Sequence, residues 1–467
     1  MSAPRRKRAG LALLGIALAA SPASAEERTA EPAPPAEPAP PAEPAPDAGA
    51  LALHVGGRLQ FDHYSYLAAG AGDAGLQPTF LLKRLNFELS GRFARRWQLF
   101  LQGDLAPAGL DPAQSPVQKL TAAIVILSYR IAPALNVQVG QLLTPVTLDH
   151  RLLSKERVIL ETGLVQQLGT PSPVEIGAAL WGETAGQLLA YELGVFNGDG
   201  ANRWSPDGRA DLIGRIAVRP LVAAAPSLRG VQLGGSARLG SRDPARVTYD
   251  APGLATQGGF RFWRPIYAGA DGPIHIVPAG RQLVIAAEAR IPIDRLELMS
   301  EVVHVRNGTR EPTGTGAAAR TGTLAGTAAY AQLGVWALGS RAVLAPGAAP
   351  ARALQLVARG EVLRARYESG RARAADAPSQ DGAIRVNALL LGAKYWWNPY
   401  IRVSANYCAY HFPESGPVMA DPDGATPGQT ARQRAVAPGN TLGPGASEAA
   451  RGSHALHELL VRLELGF

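Results

Sequence analysis

The residues best suited to chemistry are arginines that alternate with aliphatic side chains. Arg215, Arg290, Arg359 and Arg402 each lie in a short segment where Leu, Ile, Val or Ala occupies neighbouring alternate positions. Only five of the 46 basic residues are Lys, and the planar guanidinium of Arg holds oxyanions through paired hydrogen bonds. The pattern therefore favours anion binding, although a coding bias toward Ala, Gly, Pro and Arg would also produce an Arg-rich chain.

Other reactive side chains are not arranged as an active site. The chain has no G-x-S-x-G, P-loop or His-Glu-x-x-His motif, and its eight His residues show no metal-binding spacing. The single cysteine, Cys408, cannot form an intramolecular disulfide. We therefore expect no enzymatic activity, cofactor or metal. The formal charge of +8 includes four positive charges at residues 5–8, and the remaining balance is too mild to indicate nucleic-acid binding.

Residues 1–25 have the pattern of a secretory signal peptide. A basic start precedes an apolar core at 11–20, and small residues at 23–25 predict cleavage between Ala25 and Glu26. An uncleaved anchor is the alternative. No later run reaches the 18 or more apolar residues of a spanning helix, so we expect an exported chain without a helical anchor.

Residues 26–50 form a Pro/Ala/Glu-rich segment. Glu-Pro-Ala-Pro-Pro-Ala occurs at 31–36 and again at 37–42. Such proline density favours an extended, semi-rigid polyproline conformation. We expect a disordered periplasmic linker, which either contacts peptidoglycan or a periplasmic partner or acts as a passive spacer.

Short alternating segments fill residues 51–467. The last one carries Arg462 and Glu464 on one face, and a β-sandwich is the alternative for any single such strand. A sandwich needs apolar inner faces on both sheets, whereas here segment after segment has one aliphatic and one charged face. That pattern predicts an all-β fold, a transmembrane antiparallel β-barrel of about 14 to 18 strands with an oily exterior and a wet lumen. The aliphatic face of the predicted closing strand consists of Leu459, Val461, Leu463, Leu465 and Phe467.

Inside such a barrel the basic side chains would line the lumen. Arg rings favour anions, and weak sites in series let the ion leave again. The alternative is that each cation neutralises a neighbouring carboxylate such as Asp104, Asp211, Glu288 or Glu361. We expect Trp396, Trp397, Tyr400 and Tyr407 at the membrane interfaces. The predicted lumen cations are Lys83, Arg84, Arg215, Arg219, Arg238, Arg290, Arg359 and Arg402.

Several motifs, in the same order along the chain, resemble the phosphate-selective porin O and P family. Gly194-Val195-Phe196-Asn197-Gly198 is the nearest match, to the family's G-V-F-N-G. The other segments that carry the resemblance are 83–91, Val139-Gly140-Gln141 with Pro145, Glu156-Arg157, Tyr330 to Leu338, 391–398, and Leu460 to Phe467. Two positions depart from it: Lys83 stands in place of the first Arg of a pair, and Lys394 in place of an Asn.

The resemblance implies a barrel of about 16 strands in the bacterial outer membrane, usually a homotrimer, that passes small anions by diffusion. It also implies a long loop after Pro145, running to about Glu175, that narrows the lumen and contributes Arg151, Lys155 and Arg157. The insertions at 309–323 and 420–450 are extra, and we expect them to be extracellular loops.

These observations predict a channel for passive diffusion of small anions, with phosphate or other oxyanions as cargo. Its expected partners are outer-membrane lipid, the transported anions and further copies of the chain. Two alternatives remain: a structural cell-envelope barrel with a periplasmic partner, and an outer-membrane hydrolase built from paired carboxylates.

Overall fold

The computed structural model describes most of the chain from residue 52 onward. The described residues are 52–67, 78–105, 121–152, 156–170, 173–224, 228–243, 245–247, 253–259, 261–263, 266–269, 272–310, 321–344, 352–369, 382–412 and 455–466. The predicted signal peptide with Ala25 and Glu26, the linker at 26–50, Lys155, the insertion at 420–450 and Phe467 lie outside these ranges.

Sixteen strands form one closed antiparallel barrel in the described part of the chain, which confirms the predicted fold. Strands β10 to β13 pair separately as two small sheets between β9 and β14. No described helix is long and apolar enough to cross a membrane. The strands are β1 (Ala52–Tyr66), β2 (Thr79–Phe93), β3 (Trp97–Asp104), β4 (Thr121–Ala132), β5 (Leu135–Leu143), β6 (Val174–Glu183), β7 (Leu189–Phe196), β8 (Asp211–Val218), β9 (Gln232–Arg242), β10 (Leu254–Ala255), β11 (Arg261–Trp263), β12 (Ile266–Gly269), β13 (Gly272–His275), β14 (Val277–Ile293), β15 (Leu296–Arg310), β16 (Thr321–Leu338), β17 (Ala353–Ser369), β18 (Gly382–Trp396), β19 (Ile401–His411) and β20 (Ala455–Gly466).

The helical segments are short. They are α1 (Leu148–Arg151), α2 (Leu164–Gly169), and 3-10 turns at Ala185–Gln187 and Arg341–Leu344.

The first and last strands pair to close the barrel. Arg58 lies opposite Gly466, and Tyr66 lies opposite Glu458. On β20, Leu459 and Leu463 are 38% and 41% exposed on the outer face. Arg462 and Glu464 point inward and are buried. The predicted alternation of the closing strand is therefore confirmed for its described residues.

Aliphatic side chains cover the outside of the wall. On β18, Leu389 and Leu391 are 49% and 43% exposed, while Leu390 between them is fully buried. An outer face of this kind is stable in lipid, where closure leaves no strand edge without hydrogen-bond partners. The chain is thus an outer-membrane β-barrel.

The connections differ in length at the two ends of the barrel. At the end where β1 starts, the connections at 94–96, 133–134, 184–188, 294–295 and 397–400 have two to five residues, and those at 219–231 and 339–352 have 13 and 14. Those at the other end include 144–173, 243–276 and 412–454. Short turns of such barrels face the periplasm and long loops face outward, which orients the chain.

Two expectations about surface features need correction. Trp396 does not lie in an interfacial belt: it points inward, is 1% exposed, and packs against the ring of Trp336 at 5.2 Å. Trp397 and Tyr400 are exposed at the periplasmic turn. The insertion expected at 309–323 is shorter, because β15 continues to Arg310 and β16 begins at Thr321, so the connection covers only 311–320.

The lipid-facing wall predicts a depth-dependent cost for charge. Leu391 lies in the middle of the outward aliphatic stretch Leu389, Leu391 and Ala393 of β18, and Asn387 lies on the same face beyond its extracellular border. We expect Leu391→Arg to lower the free energy of unfolding by about 2–4 kcal/mol, and Asn387→Arg by about 0–1 kcal/mol. Urea unfolding in phospholipid vesicles measures both. Equal losses for the two variants would contradict this assignment of membrane depth.

Candidate pore lining and constriction loop

The connection between β5 and β6 folds into the barrel. We call residues 144–173 the inner loop, and it contains α1 and α2. Helix α2 contacts β14 to β17 on the far wall. The inner loop corresponds to the segment that the family resemblance assigned to the constriction.

Side chains of the wall accept hydrogen bonds from the backbone of the inner loop. Glu301 on β15 accepts bonds from the N–H groups of Leu148 at 2.7 Å and Asp149 at 3.1 Å. Asn406 on β19 accepts a bond from Leu160 N–H at 2.6 Å. Since an unpaired buried N–H costs about 1–3 kcal/mol, these bonds specify the path of the loop.

An apolar core forms between the inner loop and strands β15 to β20. Ile159 and Leu164 on the loop are 1% exposed, and Val303, Leu363 and Leu390 on the wall are similarly buried. The inward faces of these strands therefore combine the expected charged side chains, such as Arg359 and Arg402, with apolar side chains that the prediction did not include. The sequence did indicate apolar residues on the inward face, because the run Leu389-Leu390-Leu391 places aliphatic side chains on both faces of β18.

A fully buried ionic cluster fastens the inner loop to β17. Arg359 lies 2.7 Å from Asp149 and 2.6 Å from Glu361, and its guanidinium stacks 3.6 Å above the Tyr330 ring. Burial alone would raise the pKa of Asp149, but the charges of Arg359 and Arg157 hold it below its usual value. A Cβ at Gly163 would collide with the Arg359 and Glu361 side chains, so glycine permits this close approach.

A second cluster gathers three cations around Glu161 of the inner loop. Lys83 lies at 3.7 Å, Arg84 at 3.4 Å and Arg462 at 2.5 Å from its carboxylate. Arg462 also pairs with Asp62 at 2.6 Å. Burial alone would raise the pKa of Glu161, but the surrounding cations lower it well below its usual value. Three cations face two carboxylates here, which leaves one positive charge in excess.

A β-bulge brings Lys83 and Arg84 to the same side of the wall. Regular alternation would place only one of the two in the lumen. Gln60 pairs with Arg84, whereas the next residue, Phe61, pairs with Leu82, so Lys83 has no register partner. The extra residue turns both cations toward Glu161.

The remaining predicted cations within the described ranges are neutralised or bonded to backbone oxygens. Arg157 donates to the carbonyls of Asp149 at 2.9 Å and Leu152 at 3.3 Å. The alternative reading, in which lumen cations serve to balance carboxylates, therefore describes most positions. The ion pairs are Arg151 with Glu192 at 2.9 Å, Arg215 with Glu288, Arg219 with Glu183, Arg238 with Asp211 at 2.5 Å and Glu175 at 3.1 Å, Arg290 with Glu297 at 2.7 Å, and Arg402 with Glu464 at 2.6 Å.

Sequence reasoning missed several groups that organise the lumen. Arg462 was recognised on the charged face of the last strand but not as a site residue. Lys394 donates to the Arg157 carbonyl at 3.0 Å, and Arg242 pairs with Asp211 at 2.6 Å. Glu301 had no distinguishing signal, because its role depends on a loop that lies 152 residues away in the chain.

The wall opposite the loop core is more accessible. Inward residues Gln98, Gln102, Gln138 and Glu192 on β3, β5 and β7 are only half-buried, unlike the inward residues of β15 to β20. Arg84 and Arg151 keep 28% and 29% of their side chains exposed. Water and solutes can therefore reach the inner surface of the barrel along this polar half. Among the described residues no group of three or more His, Cys, Asp or Glu could hold a metal ion.

Comparisons with known proteins support the fold. No protein-family model matches the chain, and no curated protein matches it. Among solved structures, in-vitro folded OmpT, an outer membrane protein of Vibrio cholerae, superposes with a TM-score of 0.51 at 9% identity, covering 89% of this chain and 98% of that one.

The chain therefore has the fold of an outer-membrane β-barrel. Two further solved structures superpose less closely. The anion-selective porin from Comamonas acidovorans has a TM-score of 0.46 at 10% identity, covering 90% of this chain and 100% of that one. The outer membrane channel DcaP of Acinetobacter baumannii has a TM-score of 0.46 at 9% identity, covering 90% and 98%. At these identities the likeness concerns architecture alone.

The Arg359 cluster predicts how the inner loop is held. We expect Arg359→Met to leave Asp149 and Glu361 buried without the guanidinium that pairs with both, and to lower stability by about 3–5 kcal/mol. The loop should detach from β17, so single-channel conductance in planar bilayers should rise. Arg402→Met is the control, because Arg402 pairs with Glu464 on the adjacent strand β20 rather than with the loop. A matching rise in the control would disprove the anchoring role.

A buried histidine of the inner loop predicts a pH dependence. Burial and the neighbouring Arg157 and Arg151 lower the pKa of His150 to about 3. In the unfolded chain His150 binds a proton near pH 6.5, whereas in the folded chain it binds one only near pH 3. The free energy of unfolding should therefore fall as the pH is lowered from about 6.5 toward 3. The free energy of unfolding should change by up to about 1.4 kcal/mol per pH unit in this range. Urea unfolding between pH 7 and 5 avoids protonation of Asp149 and Glu161.

The matched variants for this experiment are His150→Gln and His304→Gln. Removal of His150 should flatten the slope, whereas removal of His304, which lies exposed on the outer face of β15, should leave it unchanged. An identical slope in wild type and His150→Gln would show that other groups dominate the pH response.

Proposed function

We propose that this chain is a passive, non-enzymatic channel of the outer membrane that passes small solutes and prefers small anions. Phosphate and similar oxyanions are the proposed cargo. The observation that carries this proposal is the cluster of Lys83, Arg84 and Arg462 around Glu161, where the inner loop meets the water-accessible half of the lumen.

The architecture supports passage of solutes. The oily exterior and the half-buried polar wall of β3, β5 and β7 suit a hydrated path across a membrane. The inner loop occupies the opposite half, where it packs on β15 to β20. A solute therefore travels between the inner loop and the polar wall.

The charge distribution supports a preference for anions. Glu161 stays ionised because its pKa is depressed, yet it and Asp62 balance only two of the three cations. Arg84 is partly exposed, donates to Gln60 at 2.8 Å, and reaches Glu161 only at 3.4 Å. Its guanidinium can therefore hold an oxyanion weakly and release it, as conduction requires.

The neutralised cations elsewhere limit the strength of that preference. Pairs such as Arg238 with Asp211 have their charges balanced at contact distance, and such pairs exert little field on a passing ion. The proposed preference for anions is therefore modest. It arises at the cluster around Glu161 rather than from rings of Arg along the lumen.

The family resemblance extends the proposal to further properties. We infer a member of the phosphate-selective porin O and P family that assembles as a homotrimer. Residues 1–25 would be removed at Ala25 and Glu26 on export, and residues 26–50 would contact peptidoglycan or a periplasmic partner. Lys155 would add a further cation to the constriction.

Charge reversal of the cluster tests the proposal. Lys83→Glu with Arg84→Glu should lower the anion-to-cation permeability ratio, because the local excess of one positive charge becomes a deficit. The reversal potential in planar bilayers under a salt gradient measures the ratio. The control is Arg95→Glu with Arg96→Glu, which reverses two adjacent cations in the periplasmic turn of the same hairpin.

Three results would contradict the proposal. Equal shifts in the two double variants would show that the cluster has no special role. A wild-type reversal potential that favours cations would remove the anion preference. No conductance at all would favour the structural cell-envelope barrel instead.

A further inference from the structure

The connection between β9 and β14 also enters the lumen. We call residues 254–258 the second lumen segment; it begins with β10, which contacts α2 of the inner loop. Leu254 is 2% exposed and belongs to the same apolar core as Leu164 of the inner loop. Thr256 and Gln257 are also buried. The loop-filled half of the barrel is therefore built from two connections rather than one.

Two glutamines fasten the second lumen segment to the inner loop. Gln167 of α2 donates to the Ala255 carbonyl at 2.9 Å and accepts a bond from the Ala255 N–H at 2.8 Å. In return, Gln257 accepts a bond from the Glu161 N–H at 2.8 Å and donates to the Thr162 carbonyl at 3.1 Å. Each side-chain amide thus pairs with one donor and one acceptor of the opposite backbone, which satisfies all four backbone groups.

The barrel wall in turn holds the second lumen segment. The Gln257 N–H donates to the Tyr410 hydroxyl on β19 at 2.9 Å. Glu458 on β20 accepts a bond from the Gly258 N–H at 2.8 Å, and the Tyr66 hydroxyl on β1 donates to the Gly258 carbonyl at 2.6 Å. Three wall strands therefore fix the backbone from which the Gln257 side chain reaches the inner loop.

Glu161 depends on such support because its contacts with the two cations of β2 are long. Lys83 and Arg84 lie at 3.7 and 3.4 Å from its carboxylate, whereas Arg462 lies at 2.5 Å. Among the described residues, Glu161 is the only carboxylate that pairs with Lys83 or Arg84. Without its backbone bonds to Gln257, Glu161 would stay with Arg462 on β20, and the neutralisation of the two β2 cations would weaken as their distances grow.

We propose that Gln257 is a positioning residue that holds Glu161 against the two cations of β2 and so determines how much of their charge faces a passing anion. This inference rests on the proposed function, since it takes the charge of this cluster to set the anion preference. It assigns a specificity-determining role to a side chain 96 residues away from Glu161 in the chain.

Gln257→Met tests this role, because methionine keeps the length of the side chain but cannot form the two amide bonds. We expect the anion-to-cation permeability ratio to rise about twofold, since Lys83 and Arg84 lose part of their counter-charge. The reversal potential in planar bilayers under a salt gradient measures the ratio. Glu161→Gln should raise it at least as much, and Gln257→Met should cause no further rise in that background.

Gln282→Met is the matched control. Gln282 is a buried residue of β14 that donates to the carbonyls of Ala279 at 3.2 Å and Gly308 at 3.0 Å, so its amide holds the wall rather than the inner loop. This variant should leave the permeability ratio unchanged. Gln257→Asn is a second variant at the test position: it keeps the amide but shortens its reach by one methylene, so the ratio should rise here as well. Heat-modifiable migration in gel electrophoresis shows that each barrel has folded.

Three results would overturn the inference: an unchanged or lowered ratio in folded Gln257→Met, an equal rise in Gln282→Met, and an additive rise in the Glu161→Gln background. The double variant Lys83→Glu with Arg84→Glu, measured in the same bilayers, separates the inference from the proposed function. If the double variant shifts the ratio and Gln257→Met does not, the positioning role alone is wrong. If neither shifts it, the proposed function is wrong and the positioning role with it.

Discussion

The pairing of β1 with β20 is the interaction on which the rest of the structure depends. Lipid offers no hydrogen-bond partner to a backbone N–H or C=O, so an open sheet edge in the membrane would cost several kcal/mol for each unpaired group. The register from Arg58 opposite Gly466 to Tyr66 opposite Glu458 removes that edge. Closure then fixes which face of every strand points inward, and this alternation determines where each charged side chain can lie.

The closed wall is not uniform around its circumference. Strands β14 to β18 contain 15 to 18 residues, whereas β3, β7 and β8 contain eight. The longer strands pack the inner loop against their inner face. Their extracellular ends continue beyond the exposed aliphatic side chains of the outer face and carry Arg. The shorter strands present half-buried polar side chains to the lumen. One side of the barrel therefore holds the loop, and the other side borders the water.

The sequence predicted the barrel well because alternation is a local property. Leu459, Val461 and Leu463 reveal the outer face of β20 without any knowledge of its neighbours. Ion pairs depend on registers between strands that are distant in sequence, so the partnership of Arg359 with Asp149, 210 residues apart, could not be predicted. Nor could the bulge at Lys83, since a single inserted residue leaves the alternation on either side intact.

The buried ion pairs explain why an Arg-rich lumen need not be strongly positive. A guanidinium taken out of water requires a carboxylate close by, because the cost of burying an unpaired charge exceeds any gain in packing. Arg359 and Arg462 meet that requirement while holding the inner loop to the wall. Where the loop meets the water-accessible half, Arg84 keeps 28% of its side chain exposed, so hydration lessens its need for a close carboxylate. In the proposed function, anion preference and loop anchoring use the same residue type in two environments that differ in hydration.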